Sequence, residues 1–372
     1  MLLTALKSIP DGRRAQSKKY QLQYLIFFSI LAILSNAKSY REIASFIETH
    51  FRILKKRYKL NWKDPPNYST IRRAILSLNK VEIEKNFRSF SLKLLKKLAI
   101  TGIKLVAIDG KTLRGSFNNF NDTKSIQVLS AFLANDLLIL GHEEIVNDKT
   151  NEIPLAQKMI KELGLIGVVF TLDALHCQKN TLKAVVKSHN NAIIQVKDNQ
   201  KNLHKRVQNL SNTFNPTDKY ITKEKTRNRY ERREVYVYSR LDYLKERIPV
   251  TWNQYIKCIV KVVRKTNRFN TKKKYWERSI EDSYYLSTEI YTAKVFSEDI
   301  RGHWGIENSD HYVRDYSMQE DNSRIRINPD NFSILRSFAL NILRSNRKTN
   351  IKSELFKNSL SLDRLMKFNF LS

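Results

Sequence analysis

Three acidic residues stand where this chain could do chemistry. Ile103–Ile108 reads as a short strand ending at Asp109, and Val168–Leu172 reads as another ending at Asp173, 64 residues further on. A carboxylate at the end of a buried strand is poorly solvated and costly unless a cation neutralises it. Strand ends are also where α/β sheets bind ligands. Taken singly, each aspartate is equally an ordinary turn or cap residue; the shared position makes the pair informative. The third acid is Glu307, in Arg301-Gly-His-Trp-Gly-Ile-Glu-Asn-Ser-Asp-His311. On one helix His303, Glu307 and His311 fall at i, i+4 and i+8, with Arg314 on the same face. Oxygen ligands from Asp109, Asp173 and Glu307 suit Mg²⁺, with Mn²⁺ as a substitute. Two such ions about 4 Å apart could activate water and stabilise the leaving 3′ oxygen of a phosphodiester.

Rival motifs are weaker. A zinc site from His303, His311 and His176 lacks an HExxH pattern or a cysteine set. Gly110-Lys111-Thr112 mimics the end of a P-loop, but the required upstream glycine falls at Leu105. Cys177 beside His176 could be a nucleophile, yet neighbours in sequence rarely have the geometry.

The chain has 372 residues and carries 67 Lys+Arg against 36 Asp+Glu, a net charge of +31. Such a surplus raises self-repulsion in a folded protein, and a polyanion is the natural compensating partner. Basic pairs and triplets run from Arg13-Arg14 to Lys272-Lys273-Lys274, which points to nucleic acid along much of the molecule and away from an isolated basic tail. With 17 Tyr and 18 Phe the chain is not disordered, and two cysteines build no disulfide framework, so a reducing cytoplasm is expected. The apolar run Tyr24–Leu34 is too short to cross a bilayer, which takes about 20 residues. A buried helix and no membrane association are expected.

These residues need a frame. Helical spacing runs through 21–35, 40–52 and 80–98, with Ser39 or Ser69 as possible caps. Tyr68–Leu76 follows a Pro-Pro stop and carries Arg72-Arg73; it could lie against DNA as a recognition helix does, or be a plain surface helix. From about residue 103 the order is β-β-β-α-β-α-β, that of a mixed α/β sheet with right-handed crossovers. Residues 199–295 alternate and are strongly charged, as expected of a β-rich insertion. Helical pattern returns at 292–318, 330–346 and 352–368.

Ile9-Pro-Asp-Gly-Arg-Arg14, Ala107-Ile-Asp-Gly-Lys-Thr-Leu-Arg-Gly-Ser116, Thr171-Leu-Asp-Ala-Leu-His176, Val196-Lys-Asp-Asn-Gln200 and His303-Trp-Gly-Ile-Glu-Asn308 occur in this order. Together they resemble the ISAs1 family of insertion-sequence transposases, within the IS4-like DDE group and akin to H-repeat-associated proteins. The resemblance runs from Ile9 to about Arg344. It implies an α/β, RNase H-like core, a mixed five-stranded sheet with flanking helices, in which Asp109, Asp173 and Glu307 are the catalytic, metal-holding acids. It also implies a β-rich insertion and a helical N-terminal region. The segments are then 1–98 (helical, DNA-binding or associated), 99–198 (first part of the core), 199–295 (insertion) and 296–372 (the Glu307 helix and C-terminal helices).

The implied activity is metal-dependent cleavage at insertion-sequence ends and strand transfer into target DNA, with two Mg²⁺ per site and a homodimer on double-stranded DNA. A DNA-binding descendant that no longer cuts, or a nuclease that does not join strands, are the alternatives. The IS4-like Tyr-x2-Arg-x3-Glu-x6-Lys pattern falls on Ile300, His303, Glu307 and Arg314, so only the Glu is retained. Lys197 opens Lys-Asp-Asn-Gln where the family commonly has Lys-Gly-Asn-Gln. Lys111, Arg114, Lys197, Arg301, His303 and Arg314 are the expected phosphate contacts, and Trp304 is expected to stack on a displaced base.

Overall fold

A computed structural model describes residues 1–97, 104–117, 124–145, 152–240, 242, 247–369 and 371. The chain divides into two compact units, one holding residues 1–101, 110–148 and 307–372, the other 102–109 and 149–306. This division cuts across the four consecutive segments read from the sequence. The expected boundary at residues 98 and 99 lies outside the described residues.

The strands are β1 (Lys104–Thr112), β2 (Gln127–Leu133), β3 (Leu138–Ile145), β4 (Val168–Leu172), β5 (Asn191–Val196), β6 (Asp218–Thr226), β7 (Arg229–Tyr238), β8 (Cys258–Asn270) and β9 (Tyr275–Ser287). They form one mixed sheet in the order β3-β2-β1-β4-β5-β9-β8-β7-β6. The expected five-stranded sheet is therefore corrected to nine. The first five positions are the five strands expected of the core, and the insertion does not form a separate sheet. Its strand β9 pairs antiparallel with β5, from Ile193↔Ser287 to Val196↔Tyr284. A bare β5 edge would leave a row of unpaired backbone groups, and the insertion satisfies them.

In the unit built around the N-terminal helices, α1 (Leu2–Leu6), α2 (Leu22–Leu34), α3 (Tyr40–Thr49), α4 (Phe51–Tyr58), α5 (Tyr68–Leu76) and α6 (Lys80–Lys97) come first. The run that could be mistaken for a membrane segment is α2, apolar on nearly all sides and buried accordingly. No helix among the described residues is long and apolar enough to cross a membrane. Ser39 caps α3 as expected, accepting from the Glu42 N–H. Asn67, not Ser69, caps α5, because its carboxamide reaches the Thr70 N–H while Ser69 Oγ bonds to that carboxamide.

The other unit has α7 (Glu152–Glu162), α8 (Lys179–Lys187), α9 (Lys201–Thr213), the short α10 (Val250–Asn253) and α11 (Ala293–His303). There β1, β4 and β5 run parallel, with Ile108 opposite Leu172 and Leu172 opposite Ile194. Thr292 caps α11, and the Ala293 N–H donates to Asp218 Oδ2, which fixes the helix start against β6. The helix packs on β4, β6 and β7.

The helix expected over 292–318 does not continue. It stops at His303, and Ile306–His311 and Val313–Ser317 are π-helical. Gly302 and Gly305 flank the break and weaken the ordinary i→i+4 ladder. In π turns the bonds run i→i+5, so the i, i+4, i+8 spacing no longer returns to one face. In the first unit this segment is followed by α12 (Pro329–Asn346), α13 (Ile351–Leu360) and α14 (Leu362–Met366). Helix α12 is buried over most of its length and packs on α2, α6 and β3. Two of its asparagines tie it to neighbouring backbone: Asn341 bonds both the N–H and the C=O of Ile139, and Asn331 donates to Ile75 and Leu78 carbonyls.

Candidate active site

Strands β1 and β4 set the two aspartates side by side. Asp109 and Asp173 each directly follow the register pair Ile108↔Leu172, so both carboxylates leave neighbouring parallel strands at the same level. Asp109 is half-buried. Asp173 caps the turn Ala174–His176 by accepting from the Leu175 N–H at 3.0 Å, yet its side chain stays 48% exposed. One oxygen is thus tethered while the group remains open to solvent.

A polar frame supports Asp173 within the same unit. His176 is buried, with Nε2 3.2 Å from Glu152 Oε1 and 3.9 Å from Asp173 Oδ1. His303, at the end of α11, places Nδ1 3.1 Å from the hydroxyl of buried Thr171, two residues before Asp173. Burial holds the His303 imidazole below its ordinary pKa despite the opposing pull of Asp173. It is therefore a neutral hydrogen-bonding group near pH 7, not a cation.

Asn199 and Gln200 reach the same loop. Asn199 Nδ2 donates to the Ala174 carbonyl at 2.5 Å, and Gln200 Nε2 to the Cys177 carbonyl at 3.0 Å. The Lys-Asp-Asn-Gln motif is a clamp on the loop that follows Asp173. Its residues are visible in the sequence as a motif, but their target is not. Thr171 opens the Thr-Leu-Asp-Ala-Leu-His motif without any sign of its partner, and Glu152 carried no sequence signal at all. Burial pushes the Cys177 thiol up to about 12, which makes it an inert core group and no nucleophile.

Glu307 lies at the start of the first unit's π-helical segment and is exposed. Behind it runs a network of buried charge. Arg314 is 1% exposed; its Nε and Nη2 grip the two Glu320 oxygens at 2.8 and 2.9 Å, and Nη2 also bonds Ser333. Asp310, fully buried, lies 3.3 Å from Arg344 and 3.9 Å from Arg314. Burial alone would raise the Glu320 carboxyl, but Arg314 and Arg336 overcome it and hold the group down at about 2. Burial likewise lowers the His311 imidazole to about 4.

Two expected phosphate contacts are corrected here. Lys111 is 7% exposed, bonded to Asp315 and within 3.7 Å of Glu320 and 3.6 Å of Asp321. Arg314 is neutralised as described above. Both positive charges are already compensated inside the protein, which is the only way such groups are tolerated in a low dielectric. Arg301 is half-exposed and engaged by Glu224. Arg114 is 80% exposed, with Asp321 at a loose 3.7 Å, and Lys197 is exposed at the head of the turn Asp198–Gln200. Trp304, the C-terminal cap of α11, is 48% exposed.

Paired aspartates offer hard oxygen donors that fit Mg²⁺ or Mn²⁺. Among the described residues, no three His, Cys, Asp or Glu side chains gather closely enough to hold an ion by themselves. In the zinc alternative, His176 has its Nε2 engaged by Glu152 and His303 its Nδ1 by Thr171.

Comparison with known proteins identifies the family. A sequence profile described as transposase DDE domain matches residues 100–342, and one described as DDE_Tnp_1-associated matches residues 3–91. The chain is 30% identical to a protein called YbfL of Escherichia coli (strain K12) over 355 residues, 93% of this chain and 91% of the relative. It is 29% identical to the "H repeat-associated putative transposase YhhI" of the same strain, with the same coverage.

Proposed function

The chain belongs to the DDE transposase family, and from that premise we propose that it cuts DNA at insertion-sequence ends and joins the freed 3′ ends to target DNA. The observation that carries the reading is the pair Asp109 and Asp173, set level on adjacent parallel strands inside the span that matches the transposase domain. In this reading Asp109 and Asp173 would hold one divalent ion, and Glu307, as the family resemblance implies, would complete a second position. Bound there, Mg²⁺ or Mn²⁺ supplies Lewis-acid polarisation of the phosphodiester and favours an ionised attacking oxygen.

The protein's own residues hold the geometry. Asn199 and Gln200 keep the loop after Asp173 in place, while His176 and Glu152 brace it from inside. Arg114 and Lys197, exposed and not deeply ion-paired, steady the DNA backbone. Trp304 offers a ring face to an unstacked base. Joining two DNA ends calls for two sites, hence a homodimer on DNA, working in the cytoplasm. One observation favours a non-cutting descendant: Arg314, standing where the IS4-like pattern has a lysine, is sequestered by Glu320.

The test is strand cleavage on DNA carrying the gene's own flanking ends, with Mg²⁺ or Mn²⁺, wild type beside Asp109→Ala. Metal-dependent cutting that the variant loses, with DNA binding retained, is expected. Equal cutting by the variant removes the carboxylate assignment, and binding without cutting by both proteins favours the descendant.

A further inference from the structure

A groove of about 670 Å³ opens in the unit that contains the N-terminal helices. Its walls are the start of α3 (Lys38–Glu42), one side of α5 (Tyr68, Arg72, Leu76) and the loop 319–327. Five cations line it, Lys38, Arg41, Arg72, Arg324 and Arg326, against the single acid Glu42. Among the described residues none of the five is ion-paired to a carboxylate. That sets them apart from Lys111, Arg301 and Arg314, all of which are. Five like charges held around one concavity repel one another, and the arrangement is stabilised by a polyanion.

Several features show a built site and not a chance cluster. Arg41 lies over the Tyr68 ring at 4.8 Å, and that ring is itself exposed, so a flat cation and an aromatic face are presented together. The N-terminal end of α3, capped by Ser39, forms part of the lining, and a helix N-terminus carries partial positive charge. The loop wall is held near its C-terminal end and at its middle. Asn328, in the left-handed region at φ 44°, donates to the Leu76 carbonyl at the end of α5. At the middle Gly115 packs so closely that an added Cβ would stand 2.0 Å from the Ser323 carbonyl oxygen. A side chain there is excluded, which explains the glycine of the Leu-Arg-Gly-Ser motif.

We propose that this groove binds the phosphodiester backbone of DNA, with Arg72, Arg324 and Arg326 on phosphates and Tyr68 against the sugar-base face. The inference rests on the transposase reading and deepens it, by assigning a DNA-holding site that pairs the N-terminal helices with the loop beyond Glu307. Exposed cations without internal partners are the ones whose counterions are free to be released on binding.

The test measures duplex affinity against salt without divalent metal, so that cleavage plays no part. Arg324→Ala/Arg326→Ala removes two charges from an exposed loop; Arg72→Ala probes the opposite wall. Lys183→Ala/Lys187→Ala, from the exposed face of α8, removes equal charge elsewhere. The groove double variant is expected to bind more weakly than the control and to lower the log–log salt slope by about 0.9 for each phosphate that is no longer neutralised. Arg72→Ala is expected to act in the same direction. Groove variants that match the Lys183/Lys187 control in affinity and slope overturn the proposal, as does a wild type that binds no duplex. Groove-dependent binding in a protein that never cuts leaves this inference standing and counts against the carboxylate reading alone.

Discussion

Two clusters of positive charge in the same unit have opposite fates. Around Arg314 the guanidinium groups of Arg314, Arg336 and Arg344 are buried and matched by Glu320 and Asp310. Around Arg72 the cations of the groove face solvent with no carboxylate partner among the described residues. Residue type does not separate the two groups, and neither does distance along the chain, since Arg314 and Arg324 are ten residues apart. The difference is whether an acid from elsewhere in the sequence folds back onto them. A net charge of +31 therefore says that a polyanion is expected, but not which cations meet it.

The sharpest way to break this comparison is Arg314→Ala. It strips buried Glu320 of its bidentate partner and leaves only Arg336 and Lys111, each 3.7 Å away, so a loss of about 3 kcal/mol in folding stability is expected in chemical denaturation. Arg314→Met combined with Glu320→Leu removes both members of the bidentate pair and should cost less than Arg314→Ala, even though Arg336 loses its contact with Glu320. A double variant no better than Arg314→Ala would mean that the pair contributes through its hydrogen bonds to Ser333 and the surrounding shape.

A smaller effect follows from the depressed Glu320 carboxyl. Its ordinary value is 4.5 and its folded value about 2. The unfolded chain binds the proton first, so the stability from this group is present above pH 4.5 and is lost as pH falls toward 2. Glu320→Gln should flatten that part of the stability profile, measured by denaturant midpoints between pH 5 and about 2. His311 acts in the same direction at higher pH. Its folded value of about 4 lies below the ordinary 6.5, so stability declines as pH drops from 6.5 to 4, and His311→Gln should remove its share of that slope, to which the depressed His303 also contributes.

The smallest effect belongs to the groove. Arg324→Ala/Arg326→Ala should change stability by no more than about 0.5 kcal/mol per residue, as exposed substitutions do, while its DNA-binding deficit persists. A large loss of stability would mean that these arginines are structural after all, and would erase the contrast with Arg314.

Asp109 and Asp173 were legible because strand patterning is local: Leu105–Ile108 is a continuous apolar run and Val168–Leu172 one broken only by Thr171, and each is followed by an acid. The Asn199–Gln200 clamp was only half legible. Its residues stand out in a motif, but they act on the Ala174 and Cys177 carbonyls, more than twenty residues earlier. Lys111 misled for the complementary reason: it sits in the same motif as Asp109, while its carboxylate partners lie about two hundred residues away.

The amino-acid sequence by itself determined the strand and helix order, the buried character of α2, the level pair of aspartates and the family to which the chain belongs. Hydrophobic periodicity and short motifs are properties of neighbouring residues, so they survive without a fold. Only the tertiary structure decided that the insertion extends the core sheet from the β5 edge, and that π turns replace the helix expected through Glu307. It also decided which of the many cations are held by acids. Those outcomes depend on which edges need partners and which charges lose water together, and both are set by residues that meet only after the chain has folded.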